Sequence, residues 1–143
     1  MKKGQGAFEY VLVVAIAMVL IVPGAMLFYN YSVRSSDELT RSQINMLGNE
    51  IMDGVEKVYY IGENTWVTLE TTVPDNVRNI YVLNNYELVI EYNSHSGLSE
   101  AVFFSEINMT TPNGGNISDS PHPGLNIIRI VSMGDFVFIN ETR

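Results

Sequence analysis

One carboxylate, Glu9, stands at the threshold of a charge-free apolar run from Tyr10 to Val33, preceded by Lys2, Lys3, Gly4 and Gln5. An ionised side chain at the centre of a bilayer costs roughly 2.5–3.5 kcal/mol on insertion scales. A cation nearby offsets that cost. Cutting the chain between Gly4 and Gln5 would create one, because a free α-amino group is normally protonated near neutral pH. Gln5 and Glu9 are one helical turn apart, so an intramolecular pair is open to them. Helices packed side by side with an axial offset offer a second arrangement, in which Glu9 meets the amino end of a neighbour. That pair would set the stagger, a register role that buried polar groups are known to play.

The lysines do not head a conventional export signal. Such a signal places its small-residue cleavage site after a short apolar stretch. Here the small residue, Gly4, comes before the stretch, and the stretch suffices to cross a bilayer, since roughly 20 helical residues span about 30 Å. Removing residues 1–4 would take away the lysines and leave the apolar helix on the mature chain.

Lys3, Gly4, Gln5 and Glu9 match a known pattern: a basic residue, Gly, Gln at the cut, then Glu four residues on. The opening of the chain thereby resembles type IV pilins, most closely the archaeal group with class III signal peptides. That family commonly has serine where this chain has Ala7, and the resemblance ends within the first third of the sequence. It implies cleavage by a prepilin peptidase between Gly4 and Gln5, with Gln5 and Glu9 governing assembly register. Phe8, Tyr10, Leu12, Val13, Ile16, Leu20 and Leu27 would belong to the helix that forms the filament core. An assembly ATPase and its membrane platform protein are implied as partners, with the chain itself as the partner in a helical homopolymer. The precursor would lie in the cytoplasmic membrane and the product would be an extracellular filament on the cell surface, with adhesion favoured over motility and DNA uptake. The alternative is an uncleaved, single-span membrane protein displaying a small β-sheet binding domain. Its lysines would stay inside, as the positive-inside rule expects, and Glu9 would merely sit among headgroups.

Composition narrows the remaining choices. With 143 residues, one small domain beyond the anchor is all the chain can hold. It has no cysteine, which removes disulfide staples, zinc–thiolate sites and thiol nucleophiles. Formal charge is −8; without residues 1–4, 6 basic face 16 acidic side chains, a balance of −10. An acidic surface disfavours direct contact with nucleic-acid phosphate.

Three zones follow the leader 1–4. Residues 5–34 are the apolar transmembrane or filament-core helix, with Pro23-Gly24 inside it as a point of weakness. Residues 35–60 read as an amphipathic helix, because Ile44, Leu47, Ile51, Met52, Val55, Val58 and Tyr59 recur at three- and four-residue steps. Ser35 and Glu38 offer a capping box for a second helix, against a near-continuous helix from Gln5 to Tyr60 of roughly 84 Å. We favour continuity.

Residues 61–143 form the third zone, where the period falls to two. Candidate strands are Thr65–Val73, Val77–Leu83, Tyr86–Tyr92, Ala101–Ile107, Leu125–Met133 and Phe136–Asn140, rich in residues that suit a pleated surface. Asn84-Asn85 suits a tight hairpin, Gly134-Asp135 turns the last pair, and Pro74-Asp75 breaks the first. Short connections imply antiparallel pairing. The expected fold is α+β: a long N-terminal helix packed on one antiparallel sheet, a layout that also resembles the pilin head. Trp66 is expected in the core, and Met18, Met26, Met46 and Met52 are expected to pack.

The stretch 108–124 lacks an apolar pattern and is expected to be an exposed loop. Four Asn-x-Ser/Thr sequons occur, at Asn30, Asn108, Asn116 and Asn140, where chance predicts about two. Asn108 and Asn116 are the better glycan candidates, and Asn30 would be shielded by packing. Asn113, Asn116 and Asp119 could touch calcium but lack EF-hand spacing, so no metal or cofactor is expected. No catalytic group is expected either: His95 and His122 stand alone in turn-like sequence, and no phosphate loop, His-Glu-x-x-His or Gly-x-Ser-x-Gly motif occurs.

Overall fold

The computed structural model describes residues 2–118 and 122–142, and of residues 2–5 the backbone alone. One helix, α1 (Lys2–Ile61), precedes seven strands: β1 (Trp66–Val73), β2 (Val77–Leu83), β3 (Glu87–Ser94), β4 (Gly97–Phe104), β5 (Met109–Thr110), β6 (Gly124–Ser132) and β7 (Val137–Thr142). The fold is α+β and rich in antiparallel pairs. By internal contacts the chain divides into residues 1–38 and residues 39–143.

In the first unit the backbone stays helical through Pro23-Gly24 and Ser35. The favoured continuous helix is what is found, and the alternative capping box at Ser35 is not used: with helical residues on both sides, no free N–H groups remain there to cap. The helix ends instead at Gly62, whose positive φ of 122° lets its N–H reach the Val58 carbonyl at 3.2 Å, a left-handed cap that glycine adopts without penalty.

The second unit contains the core. Ile44, Leu47, Ile51, Met52, Val55 and Val58 are all buried, and Tyr59 packs against them half-exposed, as the helical stripe predicts. They do not meet one sheet, however. The strands form two: β1-β6-β7-β5 and β2-β3-β4. The second is a meander closed by tight turns. Asn84 and Asn85 turn the first hairpin with φ of 52° and 67°, values asparagine tolerates. A two-residue turn, His95-Ser96, joins β3 to β4 before Gly97 at φ 116°. This hairpin shifts β4 four residues ahead of the expected Ala101–Ile107. Meanwhile β1 pairs over its whole length with β6, Trp66 opposite Val131 and Val73 opposite Gly124. Pro74-Asp75 thus sends the chain to a different sheet rather than back beside β1.

The helix lies against one seam between the sheets. A Cβ built at Gly48 would fall inside the Phe103 ring of β4, and one at Gly54 would come 2.8 Å from Ile130 and 3.2 Å from Leu69. Glu50 accepts a hydrogen bond from the Thr71 hydroxyl of β1 at 2.9 Å. The helix thus packs by its side chains on residues of both sheets, Phe103 of β4 on one and Leu69 and Ile130 of β1 and β6 on the other.

Ile117 closes the other seam. Its N–H bonds the Ile80 carbonyl of β2 at 3.1 Å, and its carbonyl accepts from the Glu141 N–H of β7 at 3.2 Å. This corrects the expectation of an exposed loop at 108–124. Residues 112–114 are exposed, but Met109, Thr111 and Ile117 are buried, and β5 pairs parallel with β7. The segment carries apolar side chains singly, so no periodic signal marks it.

Two further expectations fail on phase. Trp66 is 60% exposed and Met46 is 69% exposed. Trp66 alternates with Thr68, Glu70 and Thr72 on the outer face of β1, while Val67 and Leu69 turn inward. Met46 lies across the helix from Ile44 and Ile51.

The close approach at Gly48 generates a test. Gly48→Ala should destabilise the head by about 1–3 kcal/mol of overpacking, outweighing a helix-propensity gain of about 1 kcal/mol. Denaturant unfolding should show partial recovery when Phe103→Leu is added. A more stable single variant would refute the packing described.

Candidate assembly surface

Residues 6–32 of the first unit are exposed with the sole exception of Ala17, which is half-buried. Seventeen of those exposed side chains are large and apolar, among them all seven that the sequence reading expected in a filament core: Phe8, Tyr10, Leu12, Val13, Ile16, Leu20 and Leu27. A helix apolar on every side has no stable place in water and must be covered by lipid or by other helices. Length and composition qualify it to cross a membrane, so membrane association is compatible with this segment.

The predicted residues do not form a single contact line. Phe8, Leu12, Ile16 and Leu20 border one shallow groove with Val11, Ala15 and Val19, where the small Ala15 leaves room for a neighbouring side chain. Glu9, Val13, Ile16, Leu20 and Leu27 follow three-, four- and seven-residue steps and so share an adjoining side. Tyr10 points elsewhere. Glu9 is exposed. Gly4 and Gln5 fall within the helical backbone, and the Gln5 side chain lies outside the described residues.

The four sequons divide by setting. Asn30 is exposed on α1, whereas Asn108, Asn116 and Asn140 are half-buried. Asn108 accepts a hydrogen bond from the Asn85 amide at 3.2 Å. Asn116 bridges to Tyr81 through the backbone, next to the buried Ile117. Asn140 sits on the outer face of β7, opposite Arg129 of β6.

Two surface features of the head escaped the sequence reading. The Arg129 guanidinium stacks over Trp66, 5.4 Å from the ring centroid. This contact follows from strand phase and the β1–β6 register, and only the phase is visible in sequence. On the other sheet, Tyr81, Glu91 and Glu100 share an outer face, with Glu91 directly opposite Glu100. The Tyr81 hydroxyl donates to Glu91 at 3.4 Å.

The cavity lined by Val73, Ile80, Ile117, Ser118, His122, Asn126, Ile128 and Glu141 measures about 20 Å³, room for a single water, whereas open clefts of about 510 Å³ beside Arg41, Asn45 and Glu100 and about 320 Å³ beside Glu50 and Glu70 lie on the head surface. Buried Asn126 turns its amide to the carbonyls of His122 and Gly124 at 2.6 and 3.1 Å. Among the described residues no three of His, Cys, Asp and Glu converge on a metal position. Asp119, one of the calcium candidates, lies outside them.

Comparison with protein-family models, with curated proteins and with solved structures gave no match.

The Tyr81 cluster predicts a pH dependence. Burial, then the Glu91 and Glu100 charges, and then the hydrogen bond to Glu91 push the phenol above its ordinary value of 10.0. A raised folded-state pKa contributes stability that is complete below the unfolded value and is lost as pH climbs through the folded one. Alkaline unfolding should therefore be less steep in Tyr81→Phe than in the parent. Equal slopes above pH 10 would show that the cluster does not load Tyr81.

Proposed function

We propose that this chain is the structural subunit of a type IV pilus-like extracellular filament. It is made as a membrane-anchored precursor, cleaved between Gly4 and Gln5 and polymerised through α1, and it is not an enzyme. The reading rests foremost on one observation: the helix is apolar on all sides from Tyr10 to Val33 and its side chains lie uncovered. Lipid covers such a surface in the precursor, and neighbouring copies cover it in the polymer.

Glu9 supplies the register. An ionised carboxylate among packed apolar helices is tolerated only when paired, and the new amino group of Gln5 on a neighbour answers it at a fixed offset. Any other offset leaves two buried charges unmatched, which costs several kcal/mol per ion. A prepilin peptidase, an assembly ATPase and a membrane platform protein are the partners this life cycle requires. The acidic head faces outward and keeps the polymer soluble, and adhesion to surfaces is its use.

A single-span protein that keeps Lys2 and Lys3 would show the same uncovered helix, because the run is also of membrane length. The N-terminus separates the two. Mass spectrometry of protein sheared from native cells should find a chain beginning at Gln5 in material that sediments as filaments. Recovery of an intact Met1 start, only with membranes, would overturn the filament reading. Glu9→Ala should lower filament yield at least tenfold while head unfolding stays unchanged. Normal yield from that variant would remove Glu9 from assembly.

A further inference from the structure

The aromatic side chains of the first unit are not spread along it. Phe8 and Tyr10 stand at one end, and Phe28, Tyr29 and Tyr31 at the other. The seventeen residues between, Val11 to Leu27, contain no aromatic, charged or hydrogen-bonding side chain. All five rings are strongly exposed.

Their directions matter as much as their positions. A helix that buries aromatics against a partner helix carries them at three- and four-residue steps, on one stripe. Here Phe8 and Tyr10 are two residues apart and project to nearly opposite sides. Phe28, Tyr29 and Tyr31, at about 100° per residue, point in three directions around the axis. Each group encircles the helix. Such a distribution does not suit a one-sided protein contact, but it suits a layered environment that surrounds the helix at two heights.

The spacing identifies the layers. Tyr10 and Tyr29 are separated by nineteen helical steps, about 28 Å at about 1.5 Å per residue, against about 30 Å for the hydrocarbon core of a bilayer. Amphipathic rings favour the two membrane–water interfaces, where they form belts. We infer that Phe8 and Tyr10, with Phe28, Tyr29 and Tyr31, are interfacial anchors that fix the depth of α1 in a lipid bilayer. The inference rests on the membrane-anchored precursor of the proposed life cycle and deepens it.

A consequence concerns Glu9, which lies between the two rings of the first belt. Anchored there, its carboxylate stays hydrated among headgroups, on the same side as Lys2 and Lys3, and the Gly4–Gln5 bond lies beyond the hydrocarbon. Asn30, flanked by Tyr29 and Tyr31, lies in the opposite headgroup layer. The span leaves little spare length for tilt, so the belts set orientation as well as depth.

Depth-dependent fluorescence quenching tests this on the full, unprocessed chain in phosphatidylcholine vesicles carrying brominated acyl chains. Trp66→Phe removes the native fluorophore from an exposed position, and Trp is then introduced singly as Tyr10→Trp, Leu20→Trp or Tyr29→Trp. Reporters at 10 and 29 should be quenched best by shallow bromines and the reporter at 20 by deep ones. Adding Phe28→Leu, Tyr29→Leu and Tyr31→Leu keeps the helix apolar but removes one belt, and should move the reporter at 20 off the midplane. A helix lying along the surface, with all three reporters shallow, would overturn the inference. So would an unmoved reporter at 20 after belt removal, because rings that merely fill space leave depth unchanged. No assembly occurs in this experiment, so its failure is separable from failure of the filament reading, which is judged by the N-terminus and by polymer yield.

Discussion

The demand for cover along a single helix governs the rest of the molecule. α1 is helical from Lys2 to Ile61, yet its side chains specify two different solvents. From Tyr10 to Val33 every direction is apolar, so cover must come from all around and from outside the chain. From Ile44 to Val58 only one stripe is apolar, and the chain's own strands supply its cover. Glu9 and Arg34 border the all-apolar part at its two ends, and a change of surroundings therefore has its electrostatic effect at those ends rather than between them.

The head answers the one-sided stripe with two sheets rather than one. A single twisted sheet would cover a helix with one face and leave two long edges open. Two sheets bring Phe103 of β4 on one side and Leu69 and Ile130 on the other against the helix. Gly48 and Gly54 make this possible, because side chains there would collide with Phe103 and Ile130. The opposite seam is closed with very little chain: the two main-chain hydrogen bonds of Ile117 link β2 to β7, and its side chain is 2% exposed.

What sequence revealed depended on whether the signal was local. The helical stripe, the strand Val77–Leu83 and the Asn84-Asn85 turn depend on neighbours within a few residues, and each is found where those neighbours place it. The division into two sheets depends on β1 choosing β6, more than fifty residues away, and no local period encodes that choice. β5 and Ile117 are too short to carry a period at all. Trp66 is a different case, since its alternation with Thr68, Glu70 and Thr72 already pointed outward, and size was allowed to override phase. Of the proposed assembly surface, the apolar run and the position of Glu9 are plain in the sequence, and the structure shows those side chains exposed. Which protein, if any, they meet is not written there, because an apolar run is satisfied equally by lipid and by other helices.

Burial also explains how one fold can serve two surroundings. No member of the core precedes Ile44 among the described residues, so nothing that holds the head together lies in the all-apolar segment. Interiors are packed as densely as organic crystals and transmit strain when their members move. A core that borrowed side chains from residues 10–33 would have to repack whenever the environment of those residues changed. Lipid tails and leucine side chains are similarly apolar, so moving the helix from one to the other gains little hydrophobic free energy. In the proposed polymer, specificity would then come from close packing in places such as the Ala15 groove and from the charge at Glu9. On that proposal a carboxylate hydrated among headgroups before assembly and paired afterwards would be satisfied at both ends of the process and unsatisfied in any misregistered intermediate. An otherwise featureless apolar surface thereby acquires a defined stopping point.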